Sequence, residues 1–236
     1  MPCLRLPNWA VAYHWLCHGP GAPRVIAFDA TRELSPSARP PGPNPAALAM
    51  GSAVTGAVGA GAGAVVVGVG AAPNDEIARD CGLETARGIV VDLDARTSDP
   101  NIFAIGDVAH RPMPIYGRMF RMESVPNALE QAKQAASAIT GRPQPAGEVP
   151  WQWSDQYDLK LQIAGYAFDV DEILVRGDPA SGKFAVFHLK GDLVQSVEAV
   201  NSPPEFMMGK QLILGRRPVD KARLADPTVS MKEVAV

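Results

Sequence analysis

Cysteine pairs, an excess of positive charge and long apolar runs are what this sequence lacks. Its three cysteines, Cys3, Cys17 and Cys81, include no CxxC pair. An odd, scattered set neither staples a small fold nor supplies a zinc site, and it suits a reducing compartment. The chain has 22 Lys and Arg against 25 Asp and Glu, a formal net charge of -3. No basic field is there to hold nucleic acid. No stretch approaches the roughly 18 uninterrupted apolar residues of a spanning helix, and neither end reads as an export signal. These absences predict a cytoplasmic protein without nucleic-acid or membrane partners.

What is present is ordinary globular material. An apolar fraction of 47% and a charged fraction of 20%, over 236 residues, allow one large domain or two small ones with a proper core. Texture divides the chain. Residues 1–64 carry PSARPPGPNPAA (36–47) and GSAVTGAVGAGAGA (51–64), which bury little and lose much entropy on ordering, and they are expected to be loop or disorder. From Val65 the pattern tightens. VVVGVG (65–70) reads as a buried strand, NDEIARDCGL as a short helix, GIVVDLDART as a strand or hairpin, and 102–106 as a further strand. VPNALEQAKQAASAITG reads as the strongest helix, with Leu129, Ala132, Ala135, Ala136 and Ile139 on its apolar face. Asn127 with Glu130 forms its expected capping box, and Gly141 and Pro143 mark its end. Beyond the proline-rich boundary GRPQPAGEVP come strands at KLQIAGYA, DEILVRGD, KFAVFHLK and DLVQSVEAV, the last two joined by a tight Lys190, Gly191, Asp192 turn. PPEFMMGKQLIL follows as a helix. Residues 148–236 are thus expected to form an α+β domain of their own.

TSDPNIFAIGD (97–107) ends an extended run on a glycine and a carboxylate. Ligands of open parallel sheets sit beyond the carboxyl ends of strands, and Gly106 lets a ligand approach the backbone. An ionised Asp107 accepts hydrogen bonds only, so it either caps the turn or holds the hydroxyls of a polyol. ESVPNALEQA then places Glu123, Ser124 and Val125 at the start of the long helix, whose free amides favour negative charge and whose start also needs capping. WQWSDQ (151–156) puts two tryptophans on one side of an extended stretch, either half-buried in the core or against a flat ring.

VVVGVGAAPN, GIVVD, TSDPNIFAIGD, ESVPNALEQA and PWQWSDQYDLKLQIAG, in this order, resemble the FAD-dependent ferredoxin reductases that serve Rieske-type dioxygenases and bacterial cytochromes P450. The resemblance implies an α/β fold, a partial FAD/NAD(P)-binding Rossmann-like domain (65–147) followed by a smaller α+β reductase C-terminal domain (148–236). It implies FAD as cofactor, NAD(P)H as co-substrate and a ferredoxin-type iron–sulfur protein as partner. Asp107, after Gly106, would hold the ribityl chain; Ser124 and the backbone around Val125 would face the pyrimidine edge; Trp153 would lie beside the flavin ring, toward the iron–sulfur partner. No catalytic acid or nucleophile and no metal ligand are implied, because the flavin carries the electrons.

Two motifs of such a reductase, a GxGxxG turn for the FAD pyrophosphate and a second one for NAD(P)H, are wanting. The glycine-alanine repeat at 59–64 matches GxGxxA formally, but no strand precedes it and a strand follows where a helix is required. His14, Cys17 and His18 have no fourth ligand at sensible spacing and read as isolated polar side chains. A helix terminus contributes about 1 kcal/mol and a charge-assisted hydrogen bond about 1.5–3, against the roughly 12 kcal/mol of nanomolar binding. The expectation is a truncated reductase that binds FAD weakly and turns over little alone. The alternative is a non-catalytic module that docks a redox partner or subunit, or a chain that complements a separate polypeptide bearing the dinucleotide-binding halves.

Overall fold

A computed structural model describes residues 71–236. The expected strand at 65–70, everything assigned to 1–64, and with them His14, Cys17, His18 and the repeat at 59–64, lie outside the described residues. In chain order the elements are α1 (Glu76–Asp80), β1 (Ile89–Val90), β2 (Ala109–Met113), β3 (Arg118–Arg121), α2 (Val125–Thr140), β4 (Trp151–Gln156), β5 (Leu159–Gly165), β6 (Glu172–Asp178), β7 (Lys183–Lys190), β8 (Leu193–Val200), α3 (Pro203–Gly215) and α4 (Lys221–Ala225). Pro73–Val236 form one unit containing two sheets.

The first sheet is small and mixed: β1 runs parallel to β2, and β2 antiparallel to β3. Here the strands are shorter than the apolar runs suggest. GIVVDLDART leaves the ladder after Val90 because Asp92 Oδ1 accepts from the backbone N–H groups of Asp94 and Arg96, a local turn that competes with pairing. Residues 102–106, expected as a strand, are the return arm of the loop this turn opens. They hold a single bridge, Phe103 with Arg96, and lead into a tight 3-10 turn, Gly106–Val108.

Helix α2 has the expected span and a left-handed residue at Gly141. Its cap and its inner face differ from the expectation. Ser124, not Asn127, is the N-cap: its side chain accepts from Asn127 N–H at 3.3 Å, with Pro126 in the first turn. The buried positions are Asn127, Gln131, Gln134 and Ala135, whereas Leu129 and Ile139 are 57% and 65% exposed. A buried arginine, Arg111 on β2, draws the polar face of the helix inward, since a desolvated guanidinium needs acceptors.

The second sheet follows the alternation of its sequence closely. Five antiparallel strands lie in the order β4-β5-β8-β7-β6, with β7 and β8 joined through Lys190, Gly191 and Asp192. One face carries Ala164, Ala185, Phe187, Val197 and Ala199 against Phe206, Leu212 and Ile213 of α3. Each fully buried Val, Leu, Ile or Phe there contributes on the order of 1.5–3 kcal/mol. Gly209 brings α3 close: a Cβ at that position would stand 2.6 Å from a Val197 methyl. Arg176 of β6 ties the C-terminal tail to the sheet, donating to the Glu205 carboxylate and to the carbonyls of Leu224, Asp226 and Val229.

Candidate functional site

The Gly106–Val108 turn packs against the first turns of α2. Gly106 has φ +79°, a conformation that L side chains rarely adopt, and a Cβ there would meet only Ala128 Cβ at 3.8 Å. Its N–H donates to Gln131 Oε1 at 2.5 Å. Asp107 is exposed, and its carboxylate has no hydrogen-bond partner among the described residues. The Asp107 carbonyl accepts from Arg121 Nη1 at 2.9 Å, and the same guanidinium pairs with Glu123 Oε1 at 2.5 Å. Arg121 therefore staples the turn to the residues that open α2.

At that opening the Ser124 hydroxyl is occupied by Asn127 N–H, and the Ser124 carbonyl accepts from Ala128 N–H. The Val125 N–H has no acceptor among the described residues, and the Val125 side chain is 60% exposed. A free amide at the positive end of a 16-residue helix and an exposed carboxylate on a glycine turn thus lie on two elements that pack against each other. One acceptor, the Asp107 carboxylate, and one donor, the Val125 N–H, fit a molecule with hydroxyls at one point and an electron-rich edge at the other. Four of the five residues expected to bind cofactor, Gly106, Asp107, Ser124 and Val125, are brought together.

Trp153 stands apart from these four. It shares a face of β4 with Trp151, ring centroids 5.4 Å apart, as the extended spacing requires. Trp151 packs into the second sheet's core against Phe206, with Lys210 Nζ over its ring at 5.3 Å. Trp153 is 45% exposed beyond it. β4 lies beside α2, but no ring contact or hydrogen bond among the described residues joins Trp153 to the Gly106–Val108 turn.

The residues that sequence reasoning missed lie beneath the site. Gln131 Nε2 donates to Asn127 Oδ1 at 3.3 Å, Arg111 Nη1 donates to the same oxygen at 3.2 Å, and Arg111 pairs with Glu130 at 2.9 Å. Glu130 Oε1 accepts from the Glu148 N–H at 3.2 Å, which carries the network to the approach of β4. The spacing of Asn127, Glu130, Gln131 and Gln134 marks one helical face and was available as a signal. A second link is the turn between β2 and β3. Tyr116 Oη donates to the Gln195 carbonyl at 2.9 Å and accepts from Tyr166 N–H at 2.8 Å, and burial pushes its hydroxyl up to about 12. Among the described residues no helix is long and apolar enough to cross a membrane, and no group of three His, Cys, Asp or Glu is placed to hold a metal.

Comparison with known proteins assigns both sheets. Residues 52–132 match the pyridine nucleotide-disulphide oxidoreductase model, and residues 151–235 match the reductase C-terminal model. The first match begins upstream of Val65. These matches define the class, an α/β oxidoreductase fold with a reductase C-terminal domain. Among curated relatives, the probable ferredoxin reductase CtmF of Castellaniella defragrans is 57% identical over 172 residues, 72% of this chain and 42% of that protein. Putidaredoxin reductase CamA of Pseudomonas putida is 44% identical over 173 residues, 73% of this chain and 41% of that protein. Among solved structures, the covalent putidaredoxin reductase–putidaredoxin complex superposes with a TM-score of 0.69 at 44% identity, over 73% of this chain and 41% of that one. The chain belongs to the ferredoxin reductase family, through residues that correspond to part of its relatives. It spans about two-fifths of the length of the curated relatives it matches.

Proposed function

We propose that this chain is the flavin-facing and partner-facing part of a ferredoxin reductase, passing electrons from NAD(P)H through FAD to a small iron–sulfur protein in the cytoplasm. The observation that carries the reading is the convergence of the Asp107 turn and the start of α2. FAD, when bound, supplies the redox chemistry, accepting hydride and releasing single electrons. This chain's residues bind and orient it. The Asp107 carboxylate would accept from the hydroxyls of the ribityl chain, Gly106 would leave room for that chain, and Ser124 and Val125 would present the helix end to the pyrimidine edge. Trp153, exposed on β4 and apart from these four, would lie toward the partner. Residues 65–147 then serve as the partial FAD-binding domain and 148–236 as the reductase C-terminal domain. NAD(P)H and the iron–sulfur partner rest on family membership.

The described half-site holds FAD weakly, because one helix terminus and one or two charge-assisted hydrogen bonds fall several kcal/mol short of nanomolar affinity, which needs about 12 kcal/mol. Titration of the chain with FAD, followed by the visible flavin band, tests the reading. Expected are a saturable perturbation with the unmodified chain and a loss of about tenfold or more in affinity with Asp107→Ala. An unchanged signal in that variant would refute the role of the carboxylate. A second reading, a non-catalytic docking module, draws on the self-contained core beneath α3, and it would be favoured by stable folding with no flavin perturbation at all.

A further inference from the structure

Gly106 poses a question that its neighbours answer. Glycine has the widest choice of backbone wells, so the φ of +79° that turns Asp107 outward must be selected by something else. The selecting contact is buried: Gln131, 1% exposed, accepts the Gly106 N–H through Oε1. The direction of that amide is fixed by a chain of donors and acceptors with one solution. Arg111 can only donate, so the Asn127 atom facing it is the oxygen. The Asn127 amide nitrogen then faces the Met122 carbonyl, where a donor is required. Gln131 must offer its own nitrogen to Asn127 Oδ1, which leaves Oε1 for Gly106. Glu130 holds Arg111 in place and completes the set. No member can flip without leaving a buried polar group unpaired.

We propose that Gln131 is a positioning residue of the flavin site: it holds the Gly106 peptide so that the Asp107 carboxylate faces the sugar-alcohol chain of the cofactor. The inference rests on the flavin reading above. Gln131 touches no cofactor atom; it acts through a glycine that would otherwise sample several conformations. Its effect is therefore confined to the sugar-alcohol chain and absent for the ring.

Riboflavin and lumiflavin separate these contributions, since lumiflavin has the same ring system and lacks the sugar-alcohol chain. Affinities for both are measured by ligand-observed NMR on the whole chain, beside thermal melting. The unmodified chain is expected to prefer riboflavin by about tenfold, the worth of one charge-assisted hydrogen bond. Gln131→Met fills a similar volume without an acceptor, and it should bring the ratio close to one while leaving lumiflavin binding unchanged. Gln131→Glu, measured below the pKa of its carboxyl, keeps a carbonyl acceptor for Gly106 and an O–H donor for Asn127 Oδ1 and should retain the preference. Undiminished preference in Gln131→Met, or equal loss in both variants, would overturn the inference and leave the flavin reading standing. If Gln131→Met does not fold, the unmodified chain decides: riboflavin should move the Gly106 amide resonance and lumiflavin should not, and equal movement would overturn the proposal. Binding of neither flavin by the unmodified chain would refute the flavin reading and this inference with it.

Discussion

At the scale of single residues, the site divides into side chains that face outward and side chains that hold them there. The exposed turn position of Asp107 was legible from its sequence, because a carboxylate beside a glycine belongs to turns and surfaces. The spacing of Asn127 and Gln131 marked a shared helical face, but not its inward direction, because polar helix positions ordinarily face water and the buried guanidinium of Arg111 turns these inward. His110, next to Arg111 on β2, offers a titration test of the same region. Burial lowers its pKa from the ordinary 6.5, the Met119 backbone opposes this, and Arg87 and Arg121 add to the lowering. The unfolded chain therefore binds more protons than the folded one once the pH falls below 6.5, and stability declines as pH drops through that window toward the folded value. Thermal melting between about pH 7 and pH 5 should show a steeper decline for the unmodified chain than for His110→Gln. Parallel profiles would contradict the burial of that imidazole.

At the scale of elements, periodicity was a sound guide where one described face is buried and a poor one where the inner face is polar. Strands β5 to β8 and helix α3 fall where alternation and the opening prolines place them, because each packs an apolar face on a core within the same segment. α2 was found, but its expected apolar stripe is split: Leu129, Ala136 and Ile139 are exposed and Ala135 alone is buried, beside the amides of Asn127, Gln131 and Gln134. The β2–β3 turn was not foreseen at all, since its partners lie some fifty and eighty residues away along the chain. It fastens the first sheet to the second through the Tyr116 hydroxyl, with Arg216 donating to the Ile115 carbonyl and Phe120 edge-on to Tyr166. Tyr116→Phe leaves the Gln195 carbonyl and the Tyr166 N–H without this partner, and it should cost about 1–3 kcal/mol in urea unfolding. A change within a few tenths of a kcal/mol would show that the hydroxyl is not a fastening between the sheets.

At the scale of the whole molecule, function hangs on how much of a cofactor the chain can grip. One unit holds both sheets, with the exposed Asp107 turn packed on α2 and the exposed Trp153 on β4 of the second sheet. On the proposed function, the chain recognises one end of FAD weakly and selectively. The most direct measurement is an amide-resolved NMR titration of the chain with FAD. The expected result is concerted movement of the Gly106, Asp107, Ser124 and Val125 resonances with a single apparent affinity. Movement of the turn without the helix start, or of neither, would contradict a shared flavin site.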